Sequence, residues 1–231
     1  MRITTVGLDA DDTLWHNETI FRLTQDRLRE MLADFASHEA TNAKLAEVER
    51  RNLQLYGYGV KGFTLSMIET AMELTANNPP GRLIADILAA GREMLQEPVE
   101  PLPGVDLALA ELAEHYRLVL ITKGDLLHQE QKLAASGLGE LFAAVEIVSE
   151  KDASTYVRVF ERHGTGAAQA VMVGNSLRSD ILPALEAGAW GAYIPYHITW
   201  AHEVAEAPEA HDRFAELGSI SELPEWVRGL R

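Results

Sequence analysis

Ile3-Thr4-Thr5-Val6-Gly7-Leu8-Asp9-Ala10-Asp11-Asp12-Thr13-Leu14 is an apolar, β-branched run that stops on three aspartates. A run this short and continuously apolar suits a strand buried on both faces of a parallel sheet. Similar runs recur at Leu118–Ile121, Val145–Val148, Val171–Val173 and Ala192–Ile194. Helical patterns separate the last four: Leu126–Ser136 stops at Gly137, Thr155–His163 at Gly164, and Ile181–Ala187 at Gly188, with Pro183 near its start. Glycine just past a helix and proline just inside its beginning are boundary signs. Strands joined by helices of this length form right-handed crossovers. The pattern predicts an α/β core with a doubly wound parallel sheet.

Residues 17–96 break that rhythm. Phe21, Leu28, Leu32 and Phe35 repeat at helical spacing after Asn17, which suits a helix cap. Leu45 and Val48 continue in a second helix, Leu65, Ile68 and Met72 in a third, and Leu83, Ile87, Leu88 and Leu95 in a fourth. Breaks fall at Tyr56-Gly57-Tyr58-Gly59 and Asn77-Asn78-Pro79-Pro80-Gly81. An all-helical insert over 17–96 therefore interrupts a core formed by 1–16 and 97–231.

The 231 residues carry 35 acidic against 20 basic side chains, a formal charge of −15. Such a surface repels polyanions at long range, which argues against general nucleic-acid or anionic-membrane binding. Cysteine is absent, so disulfides and thiolate metal sites are excluded. The first apolar stretch is too short, and too soon charged, for a signal peptide or membrane span. A cytoplasmic setting is expected. Oligomeric state is not legible, because buried and interfacial apolar faces share one pattern.

Ligands of an open parallel sheet bind at the carboxyl ends of its strands. The first strand delivers Asp9, Asp11, Asp12 and Thr13, and the second delivers Thr122-Lys123-Gly124-Asp125. Lys151 follows the third, and Gly174-Asn175-Ser176-Leu177-Arg178-Ser179-Asp180 follows the fourth.

This ordered set resembles the haloacid dehalogenase superfamily over nearly the whole chain, helical cap included. Asp9, Asp11 and Thr13 match its Asp-x-Asp-x-Thr motif, Thr122 its second motif, Lys151 its third, and Gly174-Asn175 with Asp180 its fourth. The resemblance implies a Rossmann-like core and a phosphatase acting on a small phosphorylated metabolite through an aspartyl-phosphate. Asp9 would be the nucleophile, Asp11 the acid and then the base, Thr122 a donor to phosphoryl oxygens and Lys151 the charge that balances the transition state. A carboxylate facing a phosphate dianion requires a hard cation, and Mg²⁺ fits. Its ligands would be the Asp9 carboxylate, the Asp11 carbonyl and Asn175 or Asp180. Thr13, Thr122, Lys123 and Lys61 are the candidate substrate contacts, Lys61 lying beside the Gly57/Gly59 break of the cap.

Asn175 departs from the family, which usually places a metal-binding aspartate there. Either Asp180 coordinates directly, or the metal is held more weakly through Asn175 and water. A 2-haloacid dehalogenase using the same nucleophile without metal is the alternative. Asp11 argues against it, since that branch lacks the second acid. A non-catalytic phosphate-binding protein is a third reading. Asp12 is taken as a loop residue, His16 as a polar loop residue, and His197, His202 and His211 as unrelated to a metal site, their spacing not matching one helix face. Arg178 is either a surface residue or an aid to the fourth motif.

Overall fold

The computed structural model describes residues 2–198, 200 and 203–230. Its sheet has six strands: β1 (Thr5–Leu8), β2 (Arg117–Lys123), β3 (Ala144–Val148), β4 (Ala170–Gly174), β5 (Trp190–Tyr193) and β6 (Phe214–Glu216). The order is β3-β2-β1-β4-β5-β6 and every pairing is parallel. Order reverses at β1, where β2 and β4 flank it on either side. That switch is where a doubly wound sheet opens a ligand crevice. β5 begins two residues earlier than the apolar run Ala192–Ile194 suggests. β6 has no counterpart in the sequence reading, because Phe214-Ala215-Glu216 is too short to make an apolar run and none of the three is buried.

The chain forms two compact units. One comprises Met1–Glu18, Val99–Lys123 and Gln129–Arg231, and the other comprises Thr19–Pro98 with Gly124–His128. The second unit is built on α1 (Glu18–Met31), α2 (His38–Tyr56), α3 (Val60–Leu74) and α4 (Gly81–Gln96). Leu28, Leu32, Leu45, Phe63, Met67, Ala71, Leu83, Ile87 and Met94 make its core. In α3 the buried stripe is Phe63-Met67-Ala71, while Leu65 and Met72 are exposed. The sequence reading chose the neighbouring stripe because α3 is apolar on both sides and its period alone does not fix the phase. Phe35 and Leu88 are likewise exposed. Within this unit Lys61 Nζ donates to both carboxylate oxygens of Asp125 at 2.9 Å.

Around the sheet lie α5 (Val105–Ala113), α6 (Leu126–Ser136), α7 (Ala153–His163), α8 (Leu182–Glu186) and α9 (Leu223–Gly229). Alternation along the strands separates two cores. Val6, Leu8, Leu118, Leu120, Val171 and Val173 pack with α5 and α9, and Val119, Ile121, Ala170 and Met172 pack with α7 and α8. Both faces of β1, β2 and β4 are therefore dry, which explains their apolar runs, whereas the edge strand β3 carries Glu146 and leaves Val145 41% exposed. Between β4 and α8 the chain makes a π-helical turn, Leu177–Ile181, where the pattern suggested that an α-helix starts at Ile181. Among the described residues no helix is long and apolar enough to cross a membrane.

Candidate active site

β1 ends where its hydrogen bonding to β4 ends: Asp9 N–H donates to Val173 O at 2.9 Å, and the chain then turns through Leu14 N–H to Ala10 O. The turn places Asp12 at φ 63°, a left-handed conformation that asparagine and aspartate tolerate better than most residues. Asp12 is more than a loop residue. Its carboxylate accepts from the N–H groups of Asn17 and Glu18 at 2.8 to 3.0 Å and so closes the start of α1. Asn17 was the expected cap, and Asp12 does that work from five residues upstream. Burial pushes the Asp12 carboxyl up to about 7 despite these donors.

Asp9, Lys151 and Asp180 form the buried centre. Lys151 Nζ donates to Asp9 Oδ1 and, at 2.7 Å, to Asp180 Oδ1. The Lys151 side chain is 2% exposed and Asp180 1%. Burial opposes the ammonium, but Asp180 and Asp9 outweigh it and hold Lys151 well above its ordinary range. Burial in turn raises Asp9 and Asp180, since one cation serves two carboxylates. Asp180 is seated by Gly174: a Cβ there would lie 2.1 Å from Asp180 Oδ2, so only glycine fits. The same oxygen accepts from Ser176 N–H at 3.0 Å.

On the other side of Asp9, Thr13 Oγ1 lies 3.2 Å from Asp9 Oδ2 and accepts from Asn175 N–H at 3.1 Å. The Asn175 side-chain amide has two usable orientations. With nitrogen inward it shares its N–H groups among Thr13 Oγ1, Asp9 Oδ2 and Asp11 O, at 3.1, 3.2 and 3.1 Å. With oxygen inward it accepts from Thr13 at 3.1 Å and presents a third oxygen beside Asp9 Oδ2 and Asp11 O. Among the described residues no three His, Cys, Asp or Glu side chains are arranged to hold a metal. A cation here must therefore draw on carbonyl oxygens too. Asp9 Oδ2, Asp11 O and Asn175 Oδ1 are a hard oxygen set of the kind Mg²⁺ takes.

Asp11 is turned toward α6. Its Oδ1 accepts from Lys132 Nζ at 2.5 Å and Trp15 Nε1 at 2.8 Å, and its Oδ2 from Gln129 Nε2 at 3.1 Å. Burial would raise this carboxyl, but Lys132, Trp15 and Gln129 outweigh it and hold it below its usual value. Thr122 Oγ1 accepts from Gln129 Nε2 at 2.7 Å. Lys123 Nζ donates to Ser179 Oγ and Glu203 Oε1, both at 2.8 Å, and Glu203 also accepts from Ser176 and Ser179 at 2.5 Å.

The structure thus brings together Asp9, Asp11, Thr13, Thr122, Lys123, Lys151, Asn175 and Asp180. Lys61 belongs to the helical unit, on α3, where it is paired with Asp125. His16 is bound to Tyr196 through Nδ1 at 2.6 Å. Arg178, His197 and His211 are exposed, and His202 lies outside the described residues. Gln129, Lys132 and Glu203 escaped the sequence reading. For the first two a signal existed: two polar residues three apart on the helix face that continues into buried Leu133.

A parallel sheet that gathers carboxylates, a buried lysine and a threonine at one carboxyl edge is a doubly wound α/β core with its polar site at the topological switch point. The chain belongs to the haloacid dehalogenase-like hydrolase family, whose sequence model matches residues 3–188. A haloacid dehalogenase-like family hydrolase from Xanthomonas campestris is 45% identical, with a TM-score of 0.88 over 98% of this chain and 91% of that one. The HAD-hydrolase YfnB of Bacillus subtilis, solved with magnesium, is 17% identical at a TM-score of 0.68, covering 98% and 99%. An L-2-haloacid dehalogenase from Xanthobacter autotrophicus, with chloropropionic acid covalently bound, is 18% identical at 0.68, covering 99% and 100%. These last two share the fold alone. No curated protein sequence matches the chain.

Proposed function

We propose that the protein is a Mg²⁺-dependent phosphatase of small phosphorylated metabolites, working in the cytoplasm through an aspartyl-phosphate. The observation that carries this reading is the second carboxylate, Asp11, partly buried two residues from Asp9 and supplied with its own donors. Alkyl transfer to Asp9 needs no second acid, whereas loss of an alkoxide from phosphorus gains from one.

In the first step an Asp9 oxygen bonds to phosphorus as the ester oxygen leaves with a proton from Asp11. In the second, Asp11 takes a proton from water as the water oxygen displaces Asp9, which leaves inorganic phosphate. Lys151 and Thr13 hold the two Asp9 oxygens and fix the direction of attack. Thr122 donates to a phosphoryl oxygen. Mg²⁺, when bound by Asp9, the Asp11 carbonyl and Asn175, supplies the positive charge that lets a carboxylate approach a dianion. As drawn, Asp11 is poised as the base. Its acid half requires release from Lys132, because an ammonium at 2.5 Å disfavours the protonated carboxyl.

A second reading, a metal-independent 2-haloacid dehalogenase, is favoured by one observation. Lys151 and the Asn175 amide can satisfy Asp9, Asp180 and Asp11 O from protein groups alone. One assay divides the two. Wild type is expected to hydrolyse p-nitrophenyl phosphate only with Mg²⁺, and Asp9→Asn to lose on the order of 10⁴-fold or more. Chloride release from 2-chloropropionate in EDTA would reverse the order. Equal activity in wild type and Asp9→Asn would sink the mechanism.

A further inference from the structure

Gln129 and Lys132 stand one turn apart on α6, and both face the candidate site. Gln129 is 3% exposed, and its Nε2 meets three acceptors: Thr122 Oγ1 at 2.7 Å, Lys123 O at 2.8 Å and Asp11 Oδ2 at 3.1 Å. Two N–H hydrogens cannot serve three acceptors equally, and the distances rank Asp11 last. Asp11 has closer donors in Lys132 and Trp15. Thr122 is the partner that depends on Gln129.

An amide nitrogen only donates, so the Thr122 hydroxyl must present a lone pair to Gln129 and turn its own proton elsewhere. Inside the protein the acceptor within reach is Lys123 O, a long 3.3 Å away and already bound by Gln129. We propose that Gln129 is a positioning residue for Thr122: by filling the acceptor side of the hydroxyl, it leaves the O–H as a donor for an anionic substrate oxygen. A second observation agrees. Gln129 Oε1 is buried without a hydrogen-bond partner. An orphaned buried oxygen destabilises a fold relative to an apolar side chain of similar size, so packing alone does not account for an amide here.

The inference rests on the phosphatase reading for the identity of the substrate oxygen. The test is a double-mutant cycle between Gln129→Leu and Thr122→Val, following KM and kcat for p-nitrophenyl phosphate and thermal stability together. Gln129→Leu is expected to raise KM about tenfold, as loss of one hydrogen bond to a charged group would, with a smaller change in kcat and no fall in melting temperature. In the Thr122→Val background it should cost almost nothing further. Full additivity, or a KM loss that tracks a fall in melting temperature, overturns the proposal. If wild type releases chloride from 2-chloropropionate and no phosphate, the phosphatase reading fails, and the same cycle run on chloride release decides on Gln129. Independently of turnover, the Gln129 side-chain amide resonances, identified by their loss in Gln129→Leu, should shift in Thr122→Val. Unshifted resonances count against the link.

Discussion

Asn175 places a neutral amide within 3.2 Å of Asp9 Oδ2 and Asp11 O. An aspartate there would present a charged oxygen to any bound cation and would also repel Asp9 in the cation's absence. Asn175→Asp is therefore expected to lower the Mg²⁺ concentration for half-activation by about tenfold, with Mg²⁺ titration calorimetry moving in parallel. An unchanged constant in both would remove Asn175 from the metal set. Lys151 makes the opposite case. Removing it by Lys151→Met strands Asp9 and Asp180 in a buried site, and loss of one partner of a buried ion pair costs about 3–5 kcal/mol. Urea unfolding should show that loss at pH 8 and less of it at pH 5.5, where Asp180, raised to about 7 by burial, carries its own proton.

Elements carry the next level. α1 starts correctly because Asp12 combines a left-handed backbone with a two-oxygen acceptor for Asn17 and Glu18 N–H. Asp12→Ala loses both, about 1 kcal/mol for the cap and about 1–2 for the backbone. Asp12→Asn keeps them and should unfold in urea close to wild type near pH 4, below which Asp12 holds its proton in both the folded and the unfolded state. α6 was legible to the residue, Leu126–Ser136, because an apolar periodic run meets Gly137 with φ 72° at its end. What α6 does was not legible. Gln129 and Lys132 meet Asp11 across more than a hundred residues of chain, and helical period says nothing about what lies opposite a face. The stretches that hold Asp9, Thr122, Lys151 and Asp180 were readable for the converse reason: parallel topology carries them to one edge, and the family motifs single out the residues within them. β6 was hidden by its shortness, three residues with only two apolar, and the buried stripe of α3 by an excess of apolar choices.

Across the whole molecule, two buried carboxyls, Asp12 and Asp180, are raised to about 7 from an ordinary 3.8. The folded state then holds protons that the unfolded chain has released, so stability is fullest below about pH 4 for these groups and is lost as pH rises through 7. Carboxyls held low, such as Asp11 and Glu203, act in the opposite sense but only in more acidic solution. Melting temperature should accordingly fall between pH 5.5 and pH 8.5. Asp12→Asn should flatten part of that slope and leave the part due to Asp180 and Asp9. A melting temperature that rises over this interval would show that neither group holds its proton.

Residues 124–128 pack with the helical unit, although the chain reaches them directly from β2. Lys61 and Asp125, the ion pair inside that unit, are consequently encoded on two stretches of sequence that an insertion boundary drawn at 19 and 98 would separate. Exchange of 19–98 for a relative's insert would leave Asp125 facing a stranger's side chain, two residues from Lys123 and four from Gln129. A chimera that keeps the unit intact must carry 124–128 with it, or choose a donor that keeps a cation at position 61. In this chain the helical unit is discontinuous in sequence, and 19–98 with 124–128 is what an exchange would have to move.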